Sequence, residues 1–264
     1  MSAPTMSSRL EAMPLAHPRP LRAPCPSKDT PRAVKMRKFD VVALCPDGEV
    51  KETQHLGPAT PLFESAFSAF ARGTLIATDT GPVAVEDLWP GMRVTVDDNR
   101  HEEVIWIGSM THIPRTPGMD TPHAPLTRIT AESFGLSRPM TDLLAGPAAR
   151  ILAAPAALRA RLGGGKALCP VADFVDGWAA VEVTPPTPVK LYHIALRKHA
   201  VIRAAGLEME TFHPGPDFDR NMGMNMALLF MSYFPLLNTP ADFGPLAYAR
   251  LSADDSEAGP RDVA

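Results

Sequence analysis

Three short extended segments joined by tight turns constrain the fold of this chain more than any other feature. Residues 74–78 (TLIAT) form a β-branched run that favours a half-buried strand. Residues 79–82 (DTGP) then reverse the chain, because glycine tolerates positive φ and proline ends a hydrogen-bonded ladder. A second alternating segment covers 83–88, and the turn Pro90-Gly91 leads into a third. The predicted inner face of that third strand carries Met92, Val94 and Val96.

The order of residues in this region resembles the Hint domain, the fold shared by inteins and the autoprocessing half of Hedgehog proteins, and most closely its bacterial subfamily. That subfamily opens with Cys-Phe-x-x-Gly-Thr and continues, after a turn, with a pVEdL-pGD-V segment. The matching residues are Phe70, Gly73, Thr74, Val85, Glu86, Asp87, Leu88, Pro90, Gly91 and Val94. We therefore expect an all-β, Hint-like (Hedgehog/intein) fold of short strands, with a short N-terminal helix and a C-terminal helical appendage.

The family's reactive positions carry different residues in this chain. Four residues before Gly73, where the family has its nucleophilic cysteine, stands Ala69. The family's DLLLSPqHRvl block resembles residues 142–150 (DLLAGPAAR), so that its histidine falls at Ala149 and the serine three residues earlier falls at Gly146. In the family that histidine helps to protonate the leaving amide nitrogen. Because methyl groups supply neither nucleophile nor acid, the resemblance implies a non-catalytic binding or scaffold domain with no catalytic residue.

Two other functions stay open. In the first, Ser68 replaces the missing cysteine as the nucleophile of an autoprocessing domain, although it stands one residue too far from Gly73 and is predicted to lie on a helix. In the second, a basic N-terminal arm makes the protein a nucleic-acid or membrane-surface adaptor. The binding or scaffold role is the default by elimination, and the sequence does not identify the partner, for which a protein is one candidate.

Further segments resemble the same family, so that the resemblance covers about residues 60 to 250. They are residues 104–108, 126–134, 167–177, 189–204 and 206–212. The segment 189–204 is predicted to form a hairpin. An intein would end in His-Asn, because asparagine cyclisation releases the segment that follows, whereas this chain has His213-Pro214. We therefore expect no C-terminal cleavage, and residues 221–237, which are rich in Met and Leu, are predicted to form a helix.

The N-terminal part divides into a tail, a hairpin and a helix. The tail, 1–38, carries eight Lys or Arg against two acidic residues and has little apolar periodicity. A hairpin is predicted from 39–44 and 50–54 around Pro46-Asp47-Gly48. A helix is predicted within 58–71, with Thr60-Pro61 at its start. The expected division is a tail at 1–38, the hairpin and helix at 39–68, the Hint-like domain at 69–213, and an appendage at 214–264.

Composition narrows the class of protein. Among 264 residues there are 29 Pro and 18 Gly, which disfavours long helices and favours short strands joined by turns. The net charge of −3 argues against nucleic acid as the main partner. Three scattered cysteines predict free thiols in a reducing compartment. With no apolar segment typical of a signal peptide or a membrane span, the expected location is the cytoplasm.

The histidines suggest metal ligands only weakly. His101, His112 and His123 are eleven residues apart, a spacing that fits neither helix nor strand, and they are interpreted as independent loop residues. His193 and His199 are six apart and would share one face of a continuous strand. Without a third ligand they are interpreted as paired structural histidines. The sequence therefore predicts no metal site and no cofactor.

Overall fold

The computed structural model describes residues 35–113, 124–154, 165–220 and 222–251, except for the side chain of residue 98. These residues form short antiparallel strands with little helix, so the expected all-β class is confirmed. Residues 1–34 of the predicted tail, His123, and residues 252–264 lie outside the described residues. No described helix is both long enough and apolar enough to cross a membrane.

The predicted N-terminal hairpin is present and is longer than expected. It consists of β1 (Met36–Leu44) and β2 (Val50–Pro58), paired in antiparallel register around a turn in which Gly48 has φ +83°. Positive φ at this turn explains the choice of glycine. β1 also pairs with β7 (His101–His112), from Phe39 opposite Met110 to Ala43 opposite Trp106. The hairpin therefore extends the main sheet.

The predicted helix within 58–71 is wrong in its extent. Helix α1 covers only Pro61–Ser65, with Thr60 and Pro61 at its start as expected. The chain then becomes extended in β3 (Phe70–Ala71), because the N–H of Ala69 donates to the Tyr192 carbonyl (3.0 Å) and that of Arg72 to the Lys190 carbonyl (3.0 Å). Hydrogen bonds to the neighbouring strand β13 therefore determine the backbone conformation here, in spite of the helical spacing of the apolar side chains. Ser68 is consequently not on a helix.

Three strands follow β3 as predicted, but the second begins within the predicted turn and ends at Ala84, so the predicted extended segment 83–88 is wrong in its bounds. They are β4 (Leu75–Thr78), β5 (Gly81–Ala84) and β6 (Arg93–Thr95), with a 3-10 turn at Val85–Asp87 between the last two. Val94 and Val96 are buried together, but Met92 is 39% exposed because it still belongs to the turn before β6. The prediction of a common face therefore holds for the two valines and is wrong for Met92.

The remaining strands continue the all-β pattern. They are β8 (Leu126–Ile129), β9 (Leu143–Ala145), β10 (Arg150–Ala153), β11 (Ala167–Pro170), β12 (Ala180–Val183), β13 (Val189–Leu196), β14 (Val201–Ala204) and β15 (Leu207–Glu210). Hydrogen bonds connect the strands in the order β11-β10-β15-β14-β4-β6-β7-β13-β3-β9-β8-β12. The two halves of this path meet at β7, which pairs with β6 at its start and with β13 over the rest of its length.

Two sequence predictions change with this topology. The segment 189–204 is not a hairpin, because β13 pairs with β3 and β7 whereas β14 pairs with β15 and β4. His101 and His112 are the two ends of β7 and not loop residues. Strand pairing decides both corrections: β7 and β13 pair with each other across a long distance in sequence, whereas β14 pairs with the adjacent β15.

Two large cores and a small cluster of Leu152, Leu168 and Val201 hold the described strands together. One is mainly aliphatic and lies within the Hint-like region, and the other is rich in aromatic side chains. In the aromatic core Phe39 stacks on Phe67, Phe212 stacks on Phe234, and the Trp106 indole N–H donates to the Tyr233 carbonyl (2.6 Å). Residues from before and after the predicted Hint-like domain, 69–213, thus share one core, which buried aromatic contacts stabilise.

The C-terminal segment is only partly helical. Helix α2 covers Met224–Met231, which is shorter than the predicted 221–237. After a 3-10 turn at Pro240–Phe243 the chain runs back along β11, where the Leu168 N–H donates to the Ala249 carbonyl (2.8 Å) and the Leu251 N–H donates to the Leu168 carbonyl (3.0 Å). This return places Arg250 beside strand β15.

Candidate functional site

The segment that carries Ala69 is held on both sides. The Ala69 N–H donates to the Tyr192 carbonyl on β13. The Ala69 carbonyl accepts from the Gly146 N–H (2.8 Å), just beyond β9. Phe70 pairs with Ala145, so β3 lies between β13 and β9. The fold therefore brings together the two segments in which the sequence places the family's reactive positions.

The peptide bond between Ser68 and Ala69 is tightly enclosed. The Ser68 carbonyl accepts a hydrogen bond from the Ala148 N–H (3.1 Å). A Cβ atom at Gly146 would overlap the Ser68 carbonyl oxygen and would stand only 2.8 Å from the carbonyl carbon. Glycine is required here by this close approach and not by its own conformation, since Gly146 does not have positive φ. The position that holds serine in the family has no room for a side chain.

The surroundings of this peptide are apolar. Ala69 is 1% exposed and Ala149 is 2% exposed, and both belong to the aliphatic core. The Ala149 N–H donates to the Gly146 carbonyl (3.0 Å), which closes the turn between β9 and β10. Ser68 is also buried. The site residues predicted from the sequence thus lie in one place, where Ala69, Gly146 and Ala149 offer only methyl groups, hydrogen atoms and backbone.

His193 and His199 do not lie on one strand, contrary to the sequence interpretation, because β13 ends at Leu196. His193 donates from Nδ1 to the Ser65 carbonyl (2.9 Å), and its ring meets Phe70 and Phe212 edge to face. Its Nε2 is buried without a hydrogen-bond partner among the described residues. Burial lowers the pKa of His193 to about 4, so the ring is neutral at physiological pH.

His199 belongs instead to a buried polar cluster that sequence reasoning missed. Its Nε2 donates to Glu210 (2.9 Å), and its Nδ1 accepts from the Ala247 N–H (2.9 Å). Glu210 also accepts from Arg250 Nε (2.7 Å) and faces Arg150 Nε at 3.5 Å. Burial alone would raise the pKa of Glu210, but the His199 hydrogen bond and the Arg250 charge lower it. The carboxylate therefore stays ionised inside the fold.

His213 closes the same region. Its Nδ1 accepts from the Gly215 N–H (2.9 Å) and its Nε2 donates to the Gly244 carbonyl (2.9 Å), while burial lowers its pKa to about 4. Within the described ranges no group of three or more His, Cys, Asp or Glu side chains is arranged to hold a metal ion. The histidines thus fasten neighbouring segments of the backbone.

The two depressed histidine pKa values predict acid sensitivity. His193 and His213 have a pKa of about 4 when folded and about 6.5 when unfolded. As pH falls below 6.5 the unfolded chain binds these protons and the folded chain does not, so stability should fall until pH 4, by on the order of 3 kcal/mol for each residue. Urea unfolding at pH 7.5 and 5.0 measures the part of this loss that occurs above pH 5, about 2 kcal/mol for each residue. The His193→Asn variant should lose part of the pH dependence, and an unchanged slope would contradict the assignment.

Comparison with known proteins places these observations in a family. A profile described as a Hint domain matches residues 68–216, more than half of the chain. A bacterial intein-like domain from Clostridium thermocellum is similar, with a TM-score of 0.34 and 15% sequence identity over 56% of this chain and 99% of that one. The MchDnaB-1 intein has a TM-score of 0.33 and 14% identity over 55% of this chain and 100% of its own. No curated protein matches the chain significantly.

Proposed function

The chain belongs to the Hint domain family, and we propose that it is a member that has lost self-cleavage and acts as a binding or scaffold domain. The observation that carries this proposal is the packing around the Ser68–Ala69 peptide bond. The Ala69 and Ala149 side chains are buried methyl groups. Gly146 lies so close to the Ser68 carbonyl that no Cβ atom fits between them. The enclosed site supports a structural use of this peptide.

Acyl transfer at this bond would need two side-chain groups. A nucleophile on residue 69 must attack the Ser68 carbonyl carbon, and an acid must protonate the Ala69 nitrogen as the C–N bond breaks. Alanine at 69 has no nucleophilic atom, and alanine at 149 has no proton to give. The Ala69 N–H is already engaged by the Tyr192 carbonyl. Residues 69 and 149 therefore supply neither the nucleophile nor the acid, which supports the proposal.

We expect the purified full-length chain to stay intact in dithiothreitol or hydroxylamine. These reagents cleave thioester or ester intermediates, which cannot form at a residue without a thiol or hydroxyl. Intact mass spectrometry over a day at pH 7 measures the outcome, and the Ser68→Ala variant is the control. Fragments that end near residue 68 in the parent chain and vanish in Ser68→Ala would overturn the proposal and establish Ser68 as the nucleophile.

Two expectations from the sequence accompany the proposal. A protein partner and a cytoplasmic location fit a domain without chemistry of its own. The adaptor hypothesis depends on residues 1–38, of which 1–34 lie outside the described ranges. It stays a separate prediction, because binding through phosphate contacts would fall steeply with salt concentration and would disappear when the arm is deleted.

A further inference from the structure

A cleft of about 490 Å³ lies between the β1–β2 hairpin and the segment after β5. Val42 and Ile107 contribute to its apolar lining, and Trp89 and Tyr192 add aromatic surface. This volume falls within the range typical of ligand pockets. We call it the Trp89 cleft. It does not include Ala69, Gly146 or Ala149.

Trp89 is held in a fixed backbone position although its side chain is 42% exposed. Its carbonyl accepts from the Met92 N–H (3.0 Å), and the next residue but one, Gly91, donates to the Val104 carbonyl (2.8 Å). Gly91 has φ +98°, as the second central residue of a type II turn requires. A large aromatic side chain presented to solvent from a fixed turn loses little conformational freedom when it binds a partner.

Carboxylates face the same cleft. Its lining includes Asp40, Glu52 and Glu86 and no Lys or Arg. Asp40 pairs with Lys190, and Glu86 pairs with Arg72 (3.3 Å) and accepts the Gly73 N–H (2.7 Å). For both acids burial opposes ionisation, but these partners outweigh it and lower the pKa. Both acids are therefore charged, with their compensating cations outside the lining.

Glu52 differs from the other two acids. It is exposed on β2, and its carboxylate makes no hydrogen bond or ion pair among the described residues. An unpaired carboxylate and an exposed indole at one cleft form the combination that holds a cationic side chain, since an ammonium or guanidinium is attracted both to the indole face and to the negative charge. The cleft lining thus offers a negative charge and an aromatic face to a cation, and it offers no positively charged side chain to an anion.

We propose that the Trp89 cleft binds a basic peptide segment, with one lysine or arginine side chain between the Trp89 ring and the Glu52 carboxylate. The inference rests on the binding role proposed above and gives that role a site and a class of ligand. It is independent of the chemistry at Ser68, because intact mass reports cleavage whether or not a peptide binds.

Fluorescein-labelled penta-arginine, titrated against the full-length chain, tests the proposal by fluorescence anisotropy. We expect saturable binding that weakens as salt rises from 50 to 300 mM, and no binding of labelled penta-glutamate. Trp89→Ala and Glu52→Lys should each weaken penta-arginine binding about tenfold. Circular dichroism checks that the variants remain folded.

Two matched controls separate the cleft from general attraction between opposite charges. Trp178→Ala removes another exposed tryptophan, and Glu208→Lys makes the same charge change on β15. Both should bind penta-arginine as the parent does. Absence of binding to the parent chain, or equal weakening by Glu208→Lys and Glu52→Lys, would overturn the proposal. Retained binding in Trp89→Ala would also overturn it.

Discussion

Replacing Gly146 with serine should lower the free energy of unfolding by about 3 kcal/mol, at the upper end of the usual cost of overpacking. A Cβ atom at this position meets the Ser68 carbonyl, and it also meets Leu191 Cδ1 at 3.2 Å. The obstacle is backbone, which cannot rotate away as a side chain could. For a domain of this size the melting temperature should fall by roughly 6–12 °C. Thermal unfolding followed by circular dichroism measures the change.

Gly223→Ala is the matched control for this prediction. Gly223 has an ordinary φ of −65°, and a Cβ atom there would contact nothing within 4 Å. Its substitution should change stability by less than about 1 kcal/mol. Equal stability of Gly146→Ser and the parent would show that the Ser68 carbonyl can move. The enclosed site would then no longer support the loss of cleavage.

This prediction also bears on any attempt to restore chemistry. Cysteine at 69 and histidine at 149 would return two of the family's groups, but serine at 146 would displace the carbonyl that must be attacked. The proposed loss of cleavage is thus supported by the packing of the peptide as well as by the two missing side chains. Sequence comparison alone finds the missing groups, and only the three-dimensional contacts reveal the missing space.

Local sequence patterns predicted most strands and turns but not their partners. The segment 74–78 and the hairpin around Gly48 were found because turn residues and β-branched runs act locally. The helix within 58–71 was overextended because the spacing of Phe63, Phe67 and Phe70 is helical, while hydrogen bonds to β13 decide the backbone. In the same way, the pattern of 189–204 predicts a hairpin, but its two strands, β13 and β14, pair with other strands and not with each other.

The sequence placed the family's reactive positions in two segments that the fold brings side by side, but it gave no sign of the buried charges. Glu208 and Glu210 alternate with apolar residues on β15 and would be predicted to share an exposed face. In the structure Glu208 stays at the surface, whereas Glu210 is 2% exposed beneath the returning C-terminal segment. Arg250 comes from that segment, so no local pattern could have distinguished the two acids.

Replacing Glu210 with alanine should be the most destabilising of the substitutions considered, by about 3–5 kcal/mol, the range measured when one partner of a buried ion pair is removed. Arg250 Nε would lose its 2.7 Å partner, His199 Nε2 its acceptor, and Arg150 its nearby negative charge. Arg150 and Arg250 would remain close together without the carboxylate they share, although Asp173 would still act on Arg150. Glu210→Gln should be less damaging, because the amide keeps an acceptor oxygen. Urea unfolding at pH 7.5 measures each change.

Glu208→Ala is the matched control on the same strand. Its carboxylate pairs with Lys166 (2.8 Å) at the surface, where such pairs contribute at most about 1 kcal/mol. If Glu210→Ala were as stable as Glu208→Ala, the buried cluster would not hold the C-terminal segment against β15. If Glu210→Ala is the less stable of the two variants, limited proteolysis should also cut it first within residues 244–251. Arg250 holds this segment through two contacts, one with the Glu210 carboxylate and one with the His213 carbonyl (2.7 Å) at the end of the Hint domain. Without the Glu210 carboxylate the second contact alone would remain to Arg250, and the segment should open more often.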